Sequence, residues 1–432
     1  MTIYDEAMQM KEELVACRRD LHAHPELAWT EFRTASHVAK SLKALGYEVL
    51  MGDACMKADE MMGVPDKAEL SRAMGRAIKE GADPELVKKM EGGKTGVVGI
   101  MHFAKPGKTV GLRFDMDCLL VEENPTDAHR PTRDGFASTH PGLMHACGHD
   151  GHTAIGLGVA RLIAAHKDEM AGTVKLCFQP GEEGVMGARG MVASGIVDDV
   201  DYFLSGHIGL GNGENNSLVC MTEGFLATSK IDAFFTGKPA HAGANPQNGR
   251  NALLAAAQAS LALHTISRHS DGPSRINVGI LKAGTGRNVI PDNAVIKFET
   301  RGGSTAINEF MEGEARRMIE AAADMYGVTV KMVARGSAAS GNSSPDMGEE
   351  VYEVVKGLGV YSDIEKNHTV SGSEDCSYFM SRVQDHGGKA VYMLYGTEEA
   401  SGHHTSEFDF NEDVLPLSVY TVTELVKHFT NK

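Results

Sequence analysis

Apolar positions recur along this chain in rhythms that change from segment to segment. Leu14, Cys17 and Leu21, then Phe32, Ala35, Val38 and Leu42, fall three to four residues apart, the spacing of a buried helix face. His22-Ala23-His24-Pro25-Glu26 interrupts the pattern, because Pro25 drives His24 out of helical backbone. Short apolar, β-branched runs follow at 96–103, 109–114, 173–178, 202–206 and 390–395, several of them separated by helical patterns. That alternation predicts an α/β domain with a mostly parallel sheet. Residues 57–94 are rich in Met, Ala and charge, with helix starts at Asp66 and Asp83-Pro84, and read as a helical insertion outside the core.

Between about 223 and 337 the pattern changes. It predicts strand 230–236, helix 251–267, strands 275–281 and 294–300, helix 306–326 and strand 329–333. That is the β-α-β-β-α-β order of a ferredoxin-like sandwich, a complete α+β domain inserted into the first. The first domain then comprises 1–222 and 338–432, with Gly224 and Ser337-Ala338-Ala339-Ser340-Gly341 as joints. A chain of 432 residues is too long for one ordinary core, which agrees with two domains.

Composition narrows the function classes. Apolar residues make up 42% and charged residues 23%, ordinary for a soluble globular protein. A formal net charge of -16 argues against nucleic acid and anionic membrane as partners. Seven cysteines without paired spacing fit a reducing cytoplasm better than a disulfide framework. Neither a secretory signal nor a run near the roughly 18 residues of a membrane span is visible. The expectation is a soluble cytoplasmic protein acting on a small molecule.

Four clusters carry candidate chemistry. Met144-His145-Ala146-Cys147-Gly148-His149-Asp150-Gly151-His152 puts a thiol among imidazoles just ahead of a helix-like run. Cys and His are the ligands that borderline-soft divalent metals prefer, and a thiolate fits Zn²⁺ or Mn²⁺. Glu182-Glu183 follows a strand, so one carboxylate can bind metal while the other moves a proton as general base and then acid. His207 follows another strand, and His403-His404 comes a loop after the last, with the ligand there open between the two. Asp115-Met116-Asp117 ends a further strand, where Asp115 is suited to orient an imidazole. In an open α/β sheet all of these meet outside the carboxyl ends of the strands. His241 and Arg301 lie in the inserted domain, where Arg301 could clamp a carboxylate. A thiol hydrolase using Cys147 with His149 leaves Glu183, His207 and His404 unexplained.

These motifs, together with Arg18 to Glu26, Arg113 to Asp117, Phe178 to Gly184 and His241-Ala242-Gly243, resemble the M20 metallopeptidase superfamily over nearly the whole chain. More narrowly they resemble its amidohydrolase branch. The insertion at 57–94 and the segment His129 to Ser138 are similar to the aminobenzoyl-glutamate hydrolase A subunits. The resemblance implies a zinc-exopeptidase-like catalytic domain, a lid or dimerisation domain at 223–337, and a homodimer or a heterodimer with a related subunit. It implies two divalent metal ions, Mn or Zn, held by Cys147, His149, Glu183, His207 and His404, with Cys147 bridging. Glu182 would be the general base, His241 would stabilise the oxyanion, and Asn288 and Arg301 would hold substrate. The implied activity is hydrolysis of p-aminobenzoyl-glutamate. Other N-acyl amino acids or dipeptides, or activity only within a complex, are the alternatives. One departure is Gly181, where the branch commonly has Ala before the Glu pair.

Overall fold

The computed structural model describes residues 1–211 and 213–432. The chain divides into two compact units: residues 1–223 with 342–370 and 375–432, and residues 224–341 with 371–374. In chain order the strands are β1 (Glu48–Met51), β2 (Val97–His102), β3 (Lys105–Asp115), β4 (Ala171–Gln179), β5 (Tyr202–Ile208) and β6 (Ser217–Glu223). They continue with β7 (Ala227–Thr236), β8 (Ser274–Ala283), β9 (Asn293–Gly302), β10 (Thr329–Ala338), β11 (Asp363–Thr369) and β12 (Lys389–Gly396).

The first unit is built on a mixed sheet in the order β1-β2-β4-β3-β5-β12-β6-β11. Its centre, β4-β3-β5-β12, is parallel. The pairings β1–β2, β2–β4 and β6–β12 are antiparallel. In register, Asp115 stands opposite Gln179 and His207 opposite Leu394, so the four central strands end along one edge. The helix His149–Ala165 starts at that edge and is buried almost all round, as its continuous apolar sequence requires. It packs against the helices Lys11–Ala23 and Val414–Thr430.

The insertion forms helices Lys67–Lys79 and Pro84–Lys89, each started by the expected aspartate: Asp66 accepts the Glu69 N–H, and Asp83 accepts those of Glu85 and Leu86. It is not external to the core, however. Leu70, Ala77, Val87 and Met90 are buried in the same apolar cluster as Leu42 and Val97. Three strands carried no readable alternation: β1 is four residues long, β11 is a polar, mostly exposed edge, and β6 lies beside it.

The second unit is an antiparallel sheet, β10-β7-β9-β8, backed by helices Ala252–Leu263 and Thr305–Met325. Ile231, Phe235, Ile296 and Phe298 meet Ala255, Ala259, Met311 and Ile319 in a separate core. This unit runs on to Gly341, which pairs with Phe225, and takes in 371–374, where the Gly372 carbonyl accepts the Leu226 N–H. Among the described residues no helix is long and apolar enough to cross a membrane.

Candidate metal centre

Gly148 adopts φ +85°, a left-handed turn that suits glycine, and caps the helix beginning at His149. The turn places Cys147 and His149 side by side at the sheet edge. The ligand atoms of Cys147, His149 and His207 lie within 4.8 Å of one another. The same holds for Cys147, Glu183 and His404, and for His149, Glu182 and Glu183. Because Cys147, His149 and Glu183 are shared, the three groups form one continuous cluster of donor atoms.

The imidazoles are oriented by the backbone. His149 Nδ1 lies 2.9 Å from the Asp117 carbonyl and His207 Nδ1 lies 2.7 Å from the Ile208 carbonyl. A carbonyl only accepts, so Nδ1 carries a proton in both rings, and Nε2 is the ring atom left for the cluster. His207 Nε2 stands 3.5 Å from Cys147 Sγ. His149 Nε2 and Glu183 Oε1 are buried and have no hydrogen-bond partner among the described residues. Such orphaned acceptors are costly unless a cation meets them. Backbone-oriented imidazoles, a thiol and a carboxylate with open lone pairs fit a divalent cation of the Zn or Mn type.

The histidines that sequence left open separate by their partners. His404 Nε2 lies 3.5 Å from Glu183 Oε2, and the His404 N–H is fixed to the Ala146 carbonyl at 2.8 Å. Its φ of +64° is uncommon for a side-chain-bearing residue, a strain typical of functional loops. His403 instead bonds Glu399 at 2.9 Å and packs on Phe408. His152 uses both nitrogens, donating from Nδ1 to Asp115 at 2.6 Å and accepting the Ile208 N–H at 2.8 Å. It braces the backbone after His207, so the orienting role expected of Asp115 falls on His152.

Three buried carboxylates hold the loop that carries the glutamate pair. Glu31 Oε1 accepts the Gly181 N–H at 2.9 Å, and Glu31 Oε2 accepts the Thr95 hydroxyl at 2.7 Å. Asp117 accepts the N–H groups of Glu182 and Glu183, both at 3.0 Å. Asp375 Oδ2 accepts those of Gly187 and Ala188 at 3.1 and 3.0 Å. Gly181 itself has φ +63°, which explains glycine where the branch commonly has alanine. Glu31 and Asp375 escaped the sequence reading. The available signal for Glu31 was a charge flanked closely by Trp29 and Phe32, all three of them buried.

Burial and neighbouring charges set the electrostatics of the cluster. Burial, with the charge of Glu183, pushes the Cys147 thiol well above its ordinary value. Burial raises the Glu183 carboxyl to about 7, with Asp117 adding and His149 opposing. Burial holds His207 well below the usual imidazole range, helped by His152 and His403. Burial also opposes charging of His149, but Asp115, Asp117 and Cys147 outweigh it and raise that group. A cation at the cluster reverses the penalty on the thiolate and the carboxylate.

In the second unit, His241 is exposed and forms a bridge with Val289, while the Ala242 N–H donates to the Asn288 carbonyl. His241 Nδ1 accepts the N–H groups of Gly243 and Ala244 at 3.2 and 3.0 Å, leaving the ring proton on Nε2. His241 and Asn288 flank the sheet end where Thr236 pairs with Asn293, whereas Arg301 pairs with Thr228 near the other end. At ~3.4 Å per residue the two ends are roughly 27 Å apart. Arg301 is held by Glu299, through Nε at 3.0 Å and Nη2 at 3.2 Å.

Residues 111–428 match the family described as Peptidase family M20/M25/M40. The chain is 48% identical over 422 residues to indole-3-acetyl-aspartic acid hydrolase of Enterobacter agglomerans, covering 98% of this chain and 97% of that protein. It is 47% identical over 413 residues to the A subunit of p-aminobenzoyl-glutamate hydrolase from Escherichia coli (strain K12), covering 95% and 94%. Among solved structures, an aminobenzoyl-glutamate utilization protein from Klebsiella pneumoniae superposes with a TM-score of 0.85 at 39% identity, covering 99% of this chain and 98% of that one.

Proposed function

The chain belongs to peptidase family M20/M25/M40 and is a metal-dependent amide hydrolase, and on that premise we propose that it cleaves p-aminobenzoyl-glutamate to p-aminobenzoate and glutamate. The observation that carries the reading is the cluster of Cys147, His149, Glu183, His207 and His404 beside Glu182, in a chain so similar to one component of a p-aminobenzoyl-glutamate hydrolase. The five residues would hold two divalent ions, Mn or Zn, with Cys147 shared. When bound, such ions polarise an amide carbonyl and make water acidic enough to react near neutral pH.

The protein's own groups supply the rest. Asp117 fixes the backbone of the glutamate pair, so Glu182 is held where it can take a proton from the attacking water and return it to the departing glutamate nitrogen. Glu183 is the carboxylate that also groups with Cys147 and His404. His241, with its proton on Nε2, is a donor for the developing oxyanion. Asn288 and Arg301 are the substrate-holding residues of this reading. Their separation along the second unit supports an active form in which two chains contribute, either a homodimer or a pair with a related subunit. The 223–337 region would then serve as lid and dimerisation domain, and the cytoplasm as the site of action.

A second reading is favoured by the 48% identity to the indole-3-acetyl-aspartic acid hydrolase: an aspartate conjugate as the preferred substrate. The two are separated by comparing kcat/KM of the metal-loaded protein for p-aminobenzoyl-glutamate and indole-3-acetyl-aspartate. The proposal expects the former to be higher, and a reversed preference would replace it with the second reading.

A further inference from the structure

Arg113 sits near the end of β3 with its side chain buried, as are those of Asp115, Gln179 and Asp375. Arginine is almost never fully buried unless paired. Residues 113 and 115 are two apart on one strand and so share a face of the sheet, and Gln179 stands opposite Asp115 on β4. The guanidinium donates from Nη1 to Asp115 Oδ2 at 2.6 Å, from Nε to Gln179 Oε1 at 2.7 Å and from Nη2 to Asp375 Oδ1 at 3.4 Å. Gln179 passes the link on, its Nε2 donating to the same Asp375 oxygen at 2.7 Å. The amide can sit only this way round, because a guanidinium only donates and a carboxylate only accepts.

Each branch ends beside the metal cluster. Asp115 gives its other oxygen to His152 Nδ1, and His152 Nε2 accepts the N–H of Ile208, the neighbour of His207. Asp375 gives its other oxygen to the N–H groups of Gly187 and Ala188. The same Gly187 N–H reaches the Gly181 carbonyl at 3.0 Å, closing the turn that carries Glu182 and Glu183. A buried cation between two carboxylates is often no more stable than an apolar filling of the same volume, so stability alone does not account for this one.

We propose that Arg113 is a positioning residue of the metal centre. One guanidinium sets the His207 side and the glutamate turn relative to each other, through Asp115 and His152 on one branch and through Gln179 and Asp375 on the other. The inference rests on the reading of His207, Glu182 and Glu183 as residues of that centre, and adds the group that ties its two sides. Lysine keeps the charge but ends in a single ammonium on a flexible stem, so it cannot hold these acceptors in the planar geometry of the fork.

The test is hydrogen exchange of the metal-free full chain, read by mass spectrometry in peptides covering 181–188 and 205–209, with β2 as the internal reference. In Arg113→Lys both segments should exchange about tenfold faster while β2 keeps the parent rate. In Gln179→Met, which cuts one branch, only 181–188 should do so. After loading with Mn²⁺, kcat of Arg113→Lys for p-aminobenzoyl-glutamate should fall about 10- to 100-fold with KM little changed, the mark of misplaced catalytic groups. Parent-like exchange in either segment, faster exchange in β2 as well, or an unchanged kcat overturns the proposal. If the parent protein does not hydrolyse the compound, the functional reading has failed, and the exchange pattern alone decides the role of Arg113. If Arg113→Lys does not fold, Gln179→Met decides: faster exchange confined to 181–188 upholds the tie, and parent-like exchange overturns it.

Discussion

Glu31 accepts the N–H of Gly181 at 2.9 Å, tying the start of the helix Phe32–Ala44 to the turn that presents Glu182 and Glu183. The carboxylate is fully buried and its second oxygen is taken by the Thr95 hydroxyl. Glu31→Gln puts an amide NH2 against one of two donors. The expected cost is roughly 1–3 kcal/mol of stability, with a fall in kcat as the loop loosens. Urea unfolding and turnover check both. Unchanged values in the two assays would remove Glu31 from the positioning of the loop.

The neighbouring glutamates should fail in different ways. Glu182→Gln is expected to bind metal like the parent while losing about 10²–10⁴ in kcat, the span of general acid–base catalysis. Glu183→Gln is expected to lose metal first, since Glu183 shares the donor cluster with Cys147 and His404. Metal content by elemental analysis, set beside turnover, separates the two.

Much of this site was legible because its residue types are rare and sit at the ends of readable strands. Cys147, His149, Glu183, His207 and His404 could be named, since β3, β4, β5 and β12 are buried parallel strands with continuous apolar runs. The supports were not legible. Glu31 and Asp375 act on backbone N–H groups far away in sequence, as does Asp117, which sequence placed at a strand end without this role; an acidic residue carries no mark of the amide it will accept. The choice between His403 and His404 needed the Glu399 bond, which depends on loop geometry alone. Residues 57–94 were misread as external because a Met- and charge-rich helix shows its buried face only when Leu70, Ala77 and Val87 find their partners.

The segment at 129–138 is fixed by a buried ion network with a predictable acid response. Arg130 pairs with Asp409 and Glu412, and Arg18 donates to the same two residues. Burial alone would raise both carboxyls, but the bonds from Arg130 and Arg19 and the charge of Arg18 outweigh it and hold both below their ordinary values. A folded-state value below the unfolded one stabilises the protein above the unfolded pKa of roughly 4 and is lost as pH falls through the folded values. Stability should therefore fall with pH below about 4, and Arg130→Met should be less stable at pH 7 with a shallower acid slope. Fluorescence of the single, buried Trp29 in urea titrations at several pH values reads this out. An unaltered acid slope in the variant would place the acid sensitivity elsewhere.

Metal loading should stabilise the first unit as well as activate it, because the orphaned acceptors of His149 and Glu183 gain a partner. With free Mn²⁺ or Zn²⁺ at a hundred times its dissociation constant, linkage gives about 2.7 kcal/mol. A thermal melt of chelated and reloaded protein should show the gain, and Cys147→Ser should shrink it. Equal melting with and without metal would argue that the cluster holds none.

The most direct test of the central claim is release of p-aminobenzoate from p-aminobenzoyl-glutamate by the purified chain alone, stripped with chelator and reloaded with Mn²⁺ or Zn²⁺, beside Glu182→Ala. Turnover that appears only with metal and is lost in the variant is the predicted result. Metal-independent turnover, or turnover that survives in Glu182→Ala, would contradict the account.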